Sequence, residues 1–235
     1  MATHDRTLAA LEAHLSSIAV DGVKTTPATS NPGPLGLFAF GMSGMLLFAV
    51  QTTLVGESGA GVAYAFGFFF GGVCQLLAGL LEYQRRNTFA CVAFISYGGF
   101  WISFCFWGTM VMQGVYPPSV KGVQMMLCMW GIYTFILWLC TFSTNVIFSA
   151  TFLTLSLLFF FLAGGQENHN FLKFAGAWGY LVAGLAWYLA ASLLMEELYG
   201  KSPLPLFPLK PIHQISGGNL GTRRRVDEDP EMGKQ

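Results

Sequence analysis

Six long apolar stretches follow one another in this chain of 235 residues, and they limit what it can fold into. Each is about as long as the roughly 20 residues that an α-helix needs to cross a hydrocarbon layer of about 30 Å. In the whole chain 54% of the residues are hydrophobic and 10% are charged, whereas a typical soluble domain has about 25% charged residues. The sequence therefore predicts an all-α integral membrane protein with six transmembrane helices. The predicted spans are 35–54, 59–82, 88–112, 123–142, 146–163 and 171–194.

Short connections that contain helix-breaking residues separate the stretches, so consecutive helices are expected to be antiparallel neighbours. We expect three regions: a cytosolic N-terminal region over residues 1–30, the transmembrane domain over 31–197, and a C-terminal tail over 198–235 that is rich in Pro and Gly and largely disordered. The N-terminal region is either an amphipathic helix or a disordered segment. The helical alternative rests on apolar residues at helical spacing, Leu8, Leu11, Leu15 and Ile18.

The positions of Lys and Arg predict the orientation of the chain in the membrane, because cytoplasmic flanks hold the excess of these residues. With the N-terminus in the cytosol, only Lys121 and Lys173 of the 12 Lys and Arg lie on the outer side. An even number of spans returns the C-terminus to the starting side. We therefore expect a plasma-membrane protein with both termini in the cytosol.

Several classes of chemistry lack their usual residues in the spans. The five cysteines all lie in apolar stretches without a CxxC pair, and the four histidines all lie outside them. No Ser-His, Cys-His or paired-carboxylate set is found there, so the sequence predicts neither an enzyme nor a bound metal or other cofactor. The run of basic residues from Arg223 to Arg225 lies in the tail, and we expect no nucleic-acid partner.

The first span opens with Asn-Pro-Gly-Pro-Leu-Gly-Leu, residues 31–37. In one interpretation the asparagine caps an ordinary helix, and the prolines occupy its permissive first turn. In the other, irregular backbone at membrane depth marks a substrate site, because such backbone is tolerated only where protein or a water-filled cavity surrounds it. The candidate residues of this stretch are Asn31, Pro32, Pro34, Leu35 and Gly36.

The second span carries small and polar residues on one helical stripe, which either packs against another helix or lines a cavity. Buried Gln75 needs a polar partner or water in either case. Glu82 ends the stripe and is followed by Arg85 and Arg86. It either pairs with these arginines or acts as a carboxylate at the cytosolic mouth that holds a proton or sets charge selectivity. The stripe consists of Gly67, Gly71, Gln75, Gly79 and Glu82.

The third span begins at Asn87 and Thr88 and places large rings in its middle. Tyr97 and Trp101 are one turn apart and share a face. Aromatic residues at this spacing either fill a core or narrow a pore, where a phenol hydroxyl substitutes for water.

Four stretches together resemble the acetate uptake transporter family, which includes bacterial succinate-acetate permeases and fungal acetate transporters. The family's first motif usually reads Asn-Pro-Ala-Pro-Leu-Gly-Leu, and Gly33 replaces its alanine here. The resemblance covers about residues 31–197. The matching stretches are Asn31–Leu37, Gly79–Tyr83, Asn87–Phe89 and Ser96–Trp101.

The resemblance implies six transmembrane helices around a pathway in each protomer, with the protomers assembled as a hexamer in the lipid bilayer. It also implies a constriction formed by Phe40, Tyr97 and Leu155. The expected function is transport of acetate and related short monocarboxylates, with succinate as a further substrate, either coupled to protons or by channel-like conduction. Two alternatives stay open: an exporter of ammonium or ammonia, and a membrane sensor or scaffold without flux.

Overall fold

Six long helices form the part of the chain that the computed structural model describes, residues 29–209. All six are long and apolar enough to cross a membrane. The prediction of six spanning helices is confirmed, and the predicted ends are displaced by only a few residues. Helices α1 to α6 run over Gly33–Gln51, Glu57–Gln84, Thr88–Met112, Val120–Leu139, Val146–Gly165 and His169–Tyr199.

Polar caps explain where four of the helices begin. At each, a side-chain oxygen of the capping residue accepts a hydrogen bond from the backbone N–H three residues later, over 2.8 to 3.3 Å. Such a bond satisfies one of the N–H groups that the first turn leaves free. The four caps, on α3 to α6, are Asn87, Ser119, Asn145 and Asn168.

The helices follow one another around a ring. Helix α1 packs between α2 and α6, α6 packs on α5, α5 on α4, and α2 on α3. The backbones of α3 and α4 make few close approaches, and side chains close this seam: Tyr97 shares a hydrogen bond with Thr134, and the rings of Tyr97 and Trp130 lie 5.8 Å apart. The six helices therefore surround an interior rich in aromatic side chains.

Small residues let α1 and α6 approach closely, as their frequency in the sixth span predicts. A Cβ atom added to Gly179 would meet the ring of Phe48, and one added to Gly176 would lie 2.9 Å from a methyl carbon of Thr52. Across the same interface Trp187 Nε1 donates a hydrogen bond to the carbonyl of Phe38, 3.2 Å away. The position of α6 against α1 is fixed by these contacts.

Helix α2 is interrupted by a π-helical segment, Gly67–Cys74. Pi-helical turns are rare and occur often at functional sites, because the widened turn changes the direction of the side chains that follow. Here the segment contains Gly71, where an added Cβ would lie 2.7 Å from Ser43 Oγ and 2.9 Å from Trp101 Cγ. The stripe on α2 thus packs tightly against α1 and α3 at this level.

We call the end of the bundle that carries the start of α1 and the end of α6 the tail end, and the opposite end the far end. Helix α6 ends at Tyr199, and Gly200 follows with a left-handed φ of 72°. The chain then folds back over the tail end, where Val146 N donates to Phe207 O and Leu209 N to Thr144 O, each over 3.0 Å. Residues 198–209 are the described part of the expected tail. Residues 1–28, where the amphipathic helix is expected, and residues 210–235 lie outside the described part of the chain.

Candidate functional site

The first motif forms a helix start and a polar contact at the same time. Asn31 Oδ1 accepts hydrogen bonds from Gly33 N at 3.0 Å and from an Arg85 guanidinium nitrogen at 2.6 Å. The first bond satisfies the first N–H of α1, so the asparagine stabilises the helix start from one residue before the formal cap, Pro32. The second bond ties the start of α1 to the end of α2.

Glu82 is buried beside these residues, with 2% of its surface exposed. Its Oε2 accepts a hydrogen bond from Asn87 Nδ2 at 3.0 Å, and its Oε1 lies 3.8 Å from the Arg85 guanidinium. A buried carboxylate needs such partners, because an uncompensated charge in a protein interior costs several kcal/mol. Pairing with an arginine is confirmed for Arg85; both arginines are exposed, but the side chain of Arg86 makes no hydrogen bond or ion pair within residues 29–209.

We call Asn31, Glu82, Arg85 and Asn87 the mouth cluster. It joins three helix ends at the tail end of the bundle: the start of α1, the end of α2 and the start of α3. The backbone of Gly33 closes the cluster from one side, since an added Cβ there would lie 3.0 Å from Asn31 Oδ1 and 3.5 Å from Glu82 Oε1. The structure thus brings together three sequence-predicted site residues and one residue, Arg85, considered only as a partner of Glu82.

Further inside the bundle, the rings of Phe40 and Tyr97 face each other with centroids 6.0 Å apart. The hydroxyl of Tyr97 shares a 2.9 Å hydrogen bond with that of Thr134, and both side chains are buried. This bond holds the phenol in a fixed position between α1 and α4. Two of the three residues of the expected constriction are therefore neighbours.

Leu155 lies on a stripe of α5 that faces the same rings. Phe152, three residues before it, lies 6.4 Å from the ring of Tyr97, and Phe159, four residues after it, lies 5.4 Å from that of Phe100. Residues at this spacing share a helix face. Leu155 itself is buried within the same hydrophobic cluster as Tyr97.

Two buried polar atoms beside this cluster have no hydrogen-bond partner in the described part of the chain: Gln75 Oε1 and Trp101 Nε1. Both side chains are almost completely buried. They belong to facing stripes, because Gly71, one turn before Gln75, lies against the indole of Trp101. A buried polar group left unpaired costs about 1–3 kcal/mol, so these atoms are suited to bind water or a small polar solute.

A second pair of such atoms lies nearer the far end, Gln51 Oε1 and Tyr180 Oη, again without a partner among residues 29–209. Tyr180 packs edge-on against Phe48, and the aliphatic part of Gln51 lies against Gly176. Unpaired polar atoms are thus found on two neighbouring pairs of helices, α2 with α3 and α1 with α6.

Five of the sequence-predicted residues do not take part in these contacts. Pro32, Pro34 and Gly36 are buried helix-start residues; Gly36 lies under the ring of Phe94. Leu35 is 39% exposed. Thr88 is also exposed and lines a separate depression with Tyr83, Gln84, Arg86 and Cys91. Thr88 directly follows Asn87 in the chain, but neither Thr88 nor Leu35 takes part in the hydrogen bonds of the mouth cluster.

Two buried hydroxyls at the site were not singled out from the sequence, Ser43 and Thr134. Ser43 Oγ donates to the carbonyl of Phe66, 3.3 Å away, at the start of the π-helical segment. Thr134 holds Tyr97. Each is a lone hydroxyl between apolar neighbours in its span, so it differs little from the many Ser and Thr that bond to their own helix. Ser43 and Thr134 differ from those residues only in bonding to a facing helix, which the sequence does not show.

A cavity of about 470 Å³ lies elsewhere, between α3 and α4. It contains none of the predicted site residues and shares Phe100 and Trp130 with the aromatic cluster around Tyr97. Its lining is mostly apolar and reaches the far end at Ser119. The unpaired buried atoms Gln75 Oε1 and Trp101 Nε1 belong to residues that do not line this cavity.

At the far end, exposed Lys121 pairs with Glu167 over 2.9 Å and lowers the pKa of that carboxyl below its usual range.

Within residues 29–209, no three His, Cys, Asp or Glu side chains lie close enough together to hold a metal ion. The basic side chains described in this part of the chain lie at the two ends of the bundle, away from the aromatic pair.

Comparison with known proteins assigns the chain to a family. Residues 21–210 match the GPR1/FUN34/yaaH family. The chain belongs to this family. Its helical bundle is similar to the solved structure of the bacterial acetate channel SatP, with a TM-score of 0.72 and 34% identity, covering 75% of this chain and 98% of that one.

Named relatives share the same region. The chain is 34% identical over 180 residues to the succinate-acetate/proton symporter SatP of Escherichia coli K12, covering 75% of this chain and 95% of that protein. It is 32% identical over 202 residues to acetate permease A of Emericella nidulans, covering 77% of this chain and 68% of that protein. The names describe a symporter, a permease and a channel. The resemblance inferred from the four motifs is confirmed.

Proposed function

We propose that this protein carries acetate and related short monocarboxylates across a membrane through the interior of its helical bundle. The observation that carries the proposal is the succession of groups along that interior. A polar mouth cluster is followed along the chain by the Phe40–Tyr97 pair, and beside this pair lie two buried polar atoms, Gln75 Oε1 and Trp101 Nε1, which have no hydrogen-bond partner among residues 29–209. Trp101 Nε1 can donate a hydrogen bond to a carboxylate oxygen, whereas Gln75 Oε1 accepts and suits water or the O–H group of the protonated acid.

The chemistry of the interior favours weak binding and rapid passage. Because the described basic side chains lie at the ends, a carboxylate inside meets amides, hydroxyls and an indole N–H rather than a salt bridge. Passage between the rings of Phe40 and Tyr97 requires partial loss of the hydration shell. Small monocarboxylates lose fewer water contacts than larger acids, which favours acetate over succinate.

The pathway is compatible with two modes of transport, and the SatP names contain both words, symporter and channel. In the first mode, a proton moves with acetate and the solute accumulates against its gradient. In the second, acetate equilibrates along its own gradient. Glu82 is our candidate for a proton-carrying group, because it is a buried carboxylate at the mouth.

The cellular setting follows from the same features. The tail end carries Arg85, Arg86 and Lys201, and the far end carries Lys121 and Lys173, so the excess of positive charge favours a cytosolic tail end in the plasma membrane. The large apolar residues on the outside of the bundle suit contact with lipid or with further copies of the chain. We propose a homo-oligomer, with the hexamer of the acetate transporter family as its form.

Uptake of labelled acetate by liposomes that contain the purified protein tests this function. We expect saturable uptake above that of protein-free liposomes, and weaker uptake of succinate. An imposed inward pH gradient produces transient accumulation if protons are coupled, and equilibration alone if the protein is a channel. Uptake of methylammonium without acetate would indicate an ammonium exporter, and flux of neither would indicate a sensor or scaffold.

A further inference from the structure

Arg85 determines which part of the Asn31 amide is available at the mouth. A guanidinium can only donate hydrogen bonds, so its 2.6 Å contact assigns the oxygen of the amide to Arg85. Gly33 N donates to the same oxygen. The amide nitrogen, Nδ2, then points away from both donors and makes no hydrogen bond to any residue between 29 and 209. Its two N–H groups are the kind of donor that a carboxylate needs.

Arg85 also balances the charge of the mouth cluster. Glu82 would otherwise place a negative charge in the path of an anionic solute, and its Oε1 lies 3.8 Å from the Arg85 guanidinium. The adjacent Arg86 is exposed, and its side chain makes no hydrogen bond or ion pair within the described part of the chain. The two neighbouring arginines therefore differ: only Arg85 contacts both Asn31 and Glu82.

We propose that Arg85 is a positioning residue for carboxylate capture: it fixes the Asn31 amide with its N–H groups toward the solute and neutralises Glu82. The proposal rests on acetate transport as the function. Arg85 thus affects the substrate in two ways, through the orientation of the Asn31 amide and through the charge of Glu82. Both effects concern the capture of acetate at the mouth, so they change the KM for uptake rather than the maximal rate.

Two substitutions at the mouth cluster separate these effects in liposomes. Arg85→Gln removes the guanidinium, and we expect the KM for acetate to rise roughly tenfold with little change in maximal rate per assembled protein. Adding Glu82→Gln to this variant restores neutrality and recovers part of the loss. Arg85→Lys keeps the charge and one donor, so its KM stays within about threefold of the wild type.

Asn31→Asp supplies a variant that is expected to fold. The new carboxylate keeps the acceptor for Gly33 N and for Arg85, so the helix start is preserved, but the two N–H donors are lost. We expect normal assembly and a KM raised at least tenfold. The matched control is Arg86→Gln, which removes an arginine one residue away and leaves the KM unchanged.

Several results would overturn the proposal. An unchanged KM in Arg85→Gln, an equal rise in Arg86→Gln, or an unchanged KM in Asn31→Asp each contradicts it. Amide hydrogen exchange at Gly33 tests the positioning directly and without flux: exchange should become faster in Arg85→Gln and stay as in the wild type in Arg86→Gln. If the wild-type protein carries no acetate, the proposed function fails. Equal exchange at Gly33 in the wild type, Arg85→Gln and Arg86→Gln would contradict the positioning role, whatever the result for transport.

Discussion

Two side-chain hydrogen bonds join α3 to α4 beside the aromatic pair: the hydroxyls of Tyr97 and Thr134 lie 2.9 Å apart, and those of Ser96 and Tyr133 lie 2.7 Å apart. The Tyr97–Thr134 bond is the buried one of the two. Both groups are buried, so each would be left unpaired if the other were removed. The phenol ring also packs against Phe40 and Trp130. The hydroxyl therefore contributes to holding the two helices together, while we propose that the ring sets the width of the pathway.

Tyr97→Phe and Thr134→Val test this division of roles. Each single change should lower the free energy of unfolding by about 1–3 kcal/mol, whereas the double change should cost clearly less than their sum, because the unpaired partner is gone. Thermal unfolding in detergent measures the coupling. The ratio of acetate to succinate uptake should stay the same in Tyr97→Phe, since the ring remains. Additive losses of stability would contradict the role of this bond.

Some residues of the site could be predicted from the sequence, and others could not. Asn31 and Glu82 stand out because amides and acids are rare in apolar stretches, and the structure places both in the mouth cluster. Thr134 and Ser43 do not stand out, because their roles depend on which helix faces them. Pairing of Glu82 with Arg85 or Arg86 was one of two alternatives for this acid, but the bond from Arg85 to Asn31 joins residues far apart in the chain, and spacing alone does not predict such a contact.

Among the elements, helix α2 departs most from its sequence-based description. Its extent was predicted within a few residues, because apolar length alone determines a span. The π-helical segment Gly67–Cys74 was not predicted, since its widened turn depends on packing against α1 and α3. The order of the helices around the ring follows the chain, as the short connections predict, whereas the closure of the ring by α6 against α1 depends on side-chain packing and could not be derived from the lengths of the spans.

A pair of glycine substitutions on α2 tests the packing of this segment. In Gly71→Ala the new methyl group would come within 3 Å of Ser43 and Trp101, and overpacking of this kind costs about 1–3 kcal/mol. Gly61→Ala is the control, since nothing lies within 4 Å of its added Cβ; it should stabilise the helix by up to about 1 kcal/mol. Thermal unfolding in detergent compares the two. Equal stability of the variants would show that the segment is loosely packed.

At the scale of the whole molecule, the distribution of charge predicts which end of the bundle faces the cytosol. In intact cells, a cysteine introduced at Arg86, at the tail end, should be protected from a membrane-impermeant thiol reagent. One introduced at Ser58, in the turn at the start of α2 at the far end, should react. A background without the five native cysteines is required for this measurement. Labelling at position 86 but not at position 58 would indicate the opposite orientation.

The central claim is that solute passes between Phe40, Tyr97 and Leu155, and the selectivity of Leu155→Ala tests it most directly. Shortening a buried leucine widens the constriction, so uptake of lactate and succinate relative to acetate should rise by about tenfold. Leu189→Ala is the matched control, because Leu189 is an equally buried leucine that lies on α6, outside the hydrophobic cluster that contains Leu155 and Tyr97. Initial rates in liposomes should show the altered ratio in Leu155→Ala and the wild-type ratio in Leu189→Ala. An unchanged ratio in Leu155→Ala would place the pathway elsewhere.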